Sequence, residues 1–192
     1  LETERWNHIG QGNIEAYSET YIFYYKKLFN YGRKFTDDTA LIEDGIQVVF
    51  VMIWNNREKF VDISSPHSYI FYSFRNYIFK EKKKQQKVVF QNKEPEFSID
   101  NILIDKETTA DLNKRLQVAL ISLTSRQREA IFLRFYEALS FEEVAQIMNI
   151  SVKATYKLIT RSLLKLKELL NIPMILLLAL LKGFCFSDMY VV

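Results

Sequence analysis

The run Ser140 to Arg161, SFEEVAQIMNISVKATYKLITR, constrains this chain more than any other stretch. Ser140 followed three residues later by Glu143 is a capping box, in which hydroxyl and carboxylate each satisfy an orphan amide of a helix start. Phe141, Val144, Ala145 and Met148 then recur at i, i+3, i+4 and i+7, the period of a short amphipathic helix. Asn149 and Ile150 make a tight turn and Ser151 can cap a second helix. Val152, Thr155, Ile159, Leu163, Leu166 and Leu170 form the buried side of that helix. Two capped helices this close in sequence predict a helix-turn-helix.

The second helix also has a distinct outer side. Lys153, Lys157 and Arg161 are spaced i, i+4, i+8, with Tyr156 and Thr160 beside them, and no Asp or Glu occurs from Ser151 to Lys167. A Lys-rich helix face by itself is ordinarily just solvated. Behind a capped helix and a short turn, an acid-free basic face has the geometry of a recognition helix. Its N-terminal part fits a major groove, where Lys and Arg meet guanine or phosphate, and Tyr and Thr meet base edges or thymine methyls.

The rest of the chain is also helical in character. Only five Gly and three Pro in 192 residues argue against a β-sandwich, and 48% hydrophobic content is enough for real cores. Helical spacing marks IEAYSETYIFYYKKLFNY through Ala16, Tyr17, Tyr21, Tyr24 and Leu28, and a second apolar face through Ile42, Ile46, Val49, Phe50 and Ile53. Pro66 predicts a loop, followed by the aromatic helix SYIFYSFRNYIFKEKKK. Periodicity loosens in QQKVVFQNKEPEFSIDNILIDKETT and returns with Leu112, Leu116, Ala119, Leu120 and Leu123; Thr124 with Gln127 is another capping box. The expected fold is all-α: two small helical domains joined by a linker. The bounds are 1–84 for the first domain, 85–111 for the linker, 112–171 for the helix-turn-helix domain and 172–192 for an apolar tail.

Several function classes drop out. Cys185 is the only cysteine, which excludes an intrachain disulfide and a cysteine-based zinc site and suits a reducing compartment. The N-terminal LETERWNHIGQGN lacks the apolar core of a signal peptide, so a cytoplasmic protein is expected. His8 and His67 lie far apart with no paired ligand motif, and neither Glu142–Glu143 nor Glu43–Asp44 forms an acid/base pair, because adjacent side chains diverge on a helix. No Gly-rich phosphate loop or nucleophile elbow is present, so neither an enzyme, a catalytic residue, a metal nor a cofactor is expected. The net charge of +3 is too small to identify a nucleic-acid binder; its distribution carries that argument. In the tail, IPMILLLALL rises about 15 Å as a helix against a hydrocarbon core of about 30 Å. No stable membrane span is expected; packing on the protein's own domains competes with a partner-binding or regulatory role.

LTSRQREAIFLRFYEALSFEEVAQIMNIS resembles the first half of the fourth conserved region of the extracytoplasmic-function sigma factors, the small two-domain promoter-recognition subunits of bacterial RNA polymerase. GNIEAYSETYIFYYKKL is similar to that family's opening helix, IEDGIQVVFVMIW to its polymerase-binding segment, and YIFYSFRNYIFKEKKK to the segment that engages the minus-10 element. Order and spacing match from about Gly12 to Leu170. The resemblance implies that Asp44, Gln47 and Phe50 dock on core polymerase. It places Arg75, Asn76, Lys80, Lys82, Lys83 and Lys84 near minus-10 DNA, with the loop Phe60 to Ser68 as a pocket for an unstacked base and Phe60 as its stacking aromatic. Arg134, Ser151, Tyr156, Lys157, Thr160 and Arg161 fall at the minus-35 element, with Lys153 on phosphate. Where a basic residue is common in the family this chain has Tyr156, so the preferred promoter sequence stays open. The implied partners are core RNA polymerase, promoter DNA and an anti-sigma factor. The bottom-up alternatives are an autonomous helix-turn-helix regulator and, from another class, a helical interaction protein that never touches DNA.

Overall fold

In the computed structural model the described residues are 2–60, 65–86, 96–98 and 110–186. They fall into two compact units, Leu1–Pro95 and Glu96–Val192. In the first, α1 (Glu2–Gly10), α2 (Ile14–Gly32), α3 (Thr39–Asn55), α4 (Arg57–Phe60) and α5 (Pro66–Gln86) follow one another. Pro66, read from the sequence as a loop signal, is the first residue of α5, where its missing amide costs nothing. Asn13 and Asp38 cap α2 and α3 by accepting from the amides of Ala16 and Leu41.

The core of this unit lies between α2, α3 and α5 and mixes aromatic with aliphatic side chains. Tyr24, Leu28, Tyr31, Ile42, Ile46, Val49, Phe50, Ile53, Ile70, Phe71, Phe74 and Ile78 are all buried. Close approach of the helices depends on Gly45, where a Cβ would come within 2.8 Å of the Tyr77 ring and 3.1 Å of the Phe74 ring. Helix α1, not foreseen in the sequence, covers one end of the core. Its Trp6 is buried and stacks on Phe60 at 5.9 Å.

The second unit comprises α6 (Ala110–Ile121), α7 (Ser125–Ile131), a π-helical turn (Phe132–Tyr136), α8 (Phe141–Met148), α9 (Val152–Leu170) and α10 (Met174–Phe186). The stripe Leu116, Ala119, Leu120 and Leu123 is buried, and the Thr124–Gln127 capping box is complete. Two stretches outside the expected bounds of the helix-turn-helix domain pack on this unit. Phe97, inside the stretch read as linker, is fully buried in the second unit. In the apolar tail, α10 buries Leu177 and Leu181 and packs on α9 and the π-helical turn. Its opposite side remains open, with Ile175 82% exposed. No helix among the described residues is long and apolar enough to cross a membrane.

Candidate nucleic-acid interface

The turn between α8 and α9 is built from local hydrogen bonds. Ser140 Oγ accepts from the Glu143 amide at 3.1 Å, and Glu143 Oε2 accepts from the Ser140 amide at 2.8 Å. At the other end Asn149 adopts the left-handed conformation, φ 52°, which closes α8, and the Ile150 amide returns to the Ala145 carbonyl at 3.0 Å. Asparagine tolerates this conformation better than most residues. Ser151 Oγ then accepts from the Ala154 amide at 3.2 Å and starts α9.

Burial along α9 separates its sides. Thr155, Ile159, Ser162, Leu166 and Leu170 face the core. The two buried hydroxyls are satisfied within the helix, Thr155 donating to the Ser151 carbonyl and Ser162 to the Leu158 carbonyl. Ser151, Lys153, Tyr156, Lys157, Thr160 and Arg161, all expected at the DNA, are exposed. Val152, read as buried, is exposed instead, because at the first turn of α9 it precedes the stripe that meets α7 and α8.

Tyr156 is not a free side chain. Its ring lies 3.9 Å from that of Phe141, with 13° between the planes. On the same Phe141 ring sits the guanidinium of Arg134 at 5.0 Å, which also donates from Nη1 to the Leu139 carbonyl at 2.8 Å. Arg134, expected at the DNA, is therefore half-buried and engaged by the turn that leads into α8. Phe141 is a residue that sequence reading assigned only to the α8 stripe. Its partnership crosses between two helices, so no periodicity within either one signals it.

In the first unit the expected residues separate into two groups. Asn76, Lys80, Lys83 and Lys84 are exposed along α5, with Lys84 paired to Glu81 at 2.7 Å. Arg75 is buried, and its guanidinium lies 4.0 Å over the Phe79 ring. Lys82 is half-buried; its ammonium donates to the Phe35 carbonyl, and burial lowers its pKa below the usual lysine value, while Asp37 opposes that shift. Phe60 is 2% exposed, stacked on Trp6 and perpendicular to Tyr69, so it is a core side chain and is not presented to a base. Of the loop around it, residues 61–64 lie outside the described residues.

Asp44 and Gln47 are exposed on α3, at a shallow depression of about 610 Å³ shared with Val48, Val51, Met52, Asn55, Asn56 and Tyr77. Burial, then the charges of Asp44 and Glu81, raises the pKa of the Tyr77 hydroxyl. Phe50 lies on the other side of α3, 1% exposed, with its ring edge-on to Tyr21 at 4.9 Å. It supports this face from behind and is not part of it. Val48 and Val51, about half exposed beside Gln47, were missed; the signal was VVFVM, apolar beyond one helical stripe.

Two family models match the sequence: sigma-70 region 2 over residues 21–88, and sigma-70 region 4 over residues 113–166. Together they take in well over half of the chain, in family order. The chain belongs to the sigma-70 family. The two regions fall in the two separate units. As an alternative sigma factor it directs core RNA polymerase to specific promoters.

Solved structures with the same fold include CnrH in complex with the cytosolic domain of CnrY. That match has 22% identity and a TM-score of 0.57, covering 88% of this chain and 96% of that one. Another is the sigma factor RpoE in complex with the anti-sigma factor NepR from Bartonella quintana, at 21% identity and TM-score 0.57, covering 81% of this chain and 96% of that one. Among curated proteins the sequence has no significant match.

Proposed function

We propose that this sigma factor docks on core polymerase through the exposed side of α3 and contacts promoter DNA through two separate surfaces. Asp44 and Gln47, with Val48 and Val51 beside Gln47, form the docking face: a few apolar contacts bordered by groups that fix register. Asn76, Lys80, Lys83 and Lys84 lie toward the minus-10 DNA. Arg75 and Lys82 shape that side of α5 from within the fold, and Phe50 and Phe60 belong to the core.

At the minus-35 element Lys153, Lys157 and Arg161 supply charge, while Tyr156 and Thr160 face base edges; Ser151 closes the approach and Arg134 braces Phe141. The observation that carries this assignment is the exposed, acid-free stripe of α9 behind a capped helix and a left-handed turn. Each DNA contact is weak alone, and attachment to one polymerase raises the effective concentration of the second. The reaction itself belongs to the polymerase. The protein acts in the cytoplasm, and an anti-sigma partner holds it when initiation is not required; its likeness to RpoE, solved with such a partner, supports that part of the reading.

Run-off transcription with core polymerase and a genomic promoter library tests the assignment. New start sites should appear only when the protein is added. Gln47→Ala should weaken co-purification with core while leaving the fold intact. Normal core binding by Gln47→Ala combined with Val51→Glu would remove α3 as the docking face.

A further inference from the structure

The segment Glu96–Ser98 is held by an unusually complete set of contacts for a stretch outside any helix. The Phe97 side chain is fully buried, 5.6 Å from the Phe132 ring. Its backbone is used in both directions: the amide donates to Ser125 Oγ at 2.7 Å, and the carbonyl accepts from Arg128 Nε at 2.7 Å. The same guanidinium donates to Glu96 Oε1 at 3.0 Å, and from Nη1 to the carbonyls of Ile121 and Leu123 at 3.0 and 3.2 Å. Arg128 thus ties the connector to the end of α6 and the turn before α7. A buried guanidinium is tolerated because its donors are satisfied and a carboxylate lies beside it.

We infer that Phe97 and Arg128 form a clasp that takes residues 99–109 out of the link between the units, and so limits how far apart the two promoter-binding units can reach. With Phe97 held on the second unit, only the ten peptide steps from Gln86 to Glu96 link the units. Fully extended, they cover at most about 35 Å. Without the clasp the link runs from Gln86 to Ala110, and its limit rises to about 80 Å. Residues 99–109 then begin and end on the same unit, and their length has no influence on the span. Phe97 and Arg128 are positioning residues that touch no DNA. The clasp stands on its own geometry, while its consequence for promoter spacing rests on the function proposed above.

Where an insertion is placed tests the clasp directly, because a merely structural role for Phe97 is indifferent to it. Spin labels at the exposed positions Ser18 and Glu142, in the full chain with Cys185→Ala, report the distance between units. Six Gly/Ser residues inserted within 87–95 should move the upper edge of the distance distribution outward by up to about 20 Å. The same insert within 99–109 should leave the distribution unchanged. In Phe97→Ala the two insertions should become equivalent, while Phe97→Leu, which keeps an apolar group in the pocket, should retain the difference. Equal effects of the two insertions in the otherwise unaltered chain would overturn the clasp, as would a persistent difference in Phe97→Ala. Run-off transcription on templates of varied spacer length reads the consequence: only the first insertion should broaden the accepted range. Loss of transcription from every template, with the distance results intact, counts against the promoter assignment and not against the clasp.

Discussion

Phe141→Ala isolates the stack on Tyr156, the residue proposed to face base edges. The substitution takes away the ring on which Tyr156 stacks at 3.9 Å and over which the Arg134 guanidinium sits at 5.0 Å. Those contacts contribute about 0.5–1.5 kcal/mol for the ring pair and about 0.5–1 kcal/mol for the cation. The second unit should therefore unfold more easily by roughly 1–2.5 kcal/mol, which urea denaturation measures. The effect on recognition is smaller and separate. Without Phe141 the exposed Tyr156 ring must be immobilised when DNA binds, at a cost of about 0.5–1.5 kcal/mol per ordered side chain. Promoter affinity of the holoenzyme should then fall about 2- to 12-fold, at roughly 1.4 kcal/mol per decade. A double-mutant cycle separates this from general damage: in a Tyr156→Ala background, Phe141→Ala should have almost no further effect on affinity. Fluorescence anisotropy with a labelled promoter fragment gives all four values. Equal losses in both backgrounds would show that the stack does not act through Tyr156, and an unchanged single mutant would refute preorganisation altogether.

Lys157→Ala and Arg161→Ala should each weaken promoter binding while leaving core binding unchanged, and each should reduce the steepness of the log K against log salt plot by about 1 if the lost contact is to phosphate; a salt titration of the holoenzyme measures this. Phe60→Ala should destabilise the first unit by about 3–5 kcal/mol, the cost of emptying a large buried site. Denaturation should register that loss, and any defect in strand opening should vanish at temperatures where the variant is fully folded.

Local features of this protein were legible because their partners lie within one or two helical turns. The Ser140 and Thr124 boxes, the Ser151 cap and the left-handed Asn149 connect residues no more than about one turn apart, so a sequence window contains the whole interaction. The exposed stripe Lys153, Lys157 and Arg161 follows in the same way from the helical repeat. Reading failed where a residue type has two uses. Phe60, Phe50 and Arg75 have the chemistry to stack on a base, meet a polymerase surface or pair with phosphate, and the packed helices gave each of them another partner.

What the sequence determined by itself was an all-α chain with a capped helix-turn-helix, a second helical unit before it, and an acid-free basic face on α9. Only the tertiary structure decided which aromatics and cations remain available. Tyr156 rests on Phe141 across the turn, Lys82 is drawn in to the Phe35 carbonyl, and Glu96–Ser98 in the connector is pinned through Phe97 by an arginine 31 positions away. Helix periodicity and caps are short-range and repeat along the chain, whereas these contacts exist only once several helices have packed and desolvated the groups between them.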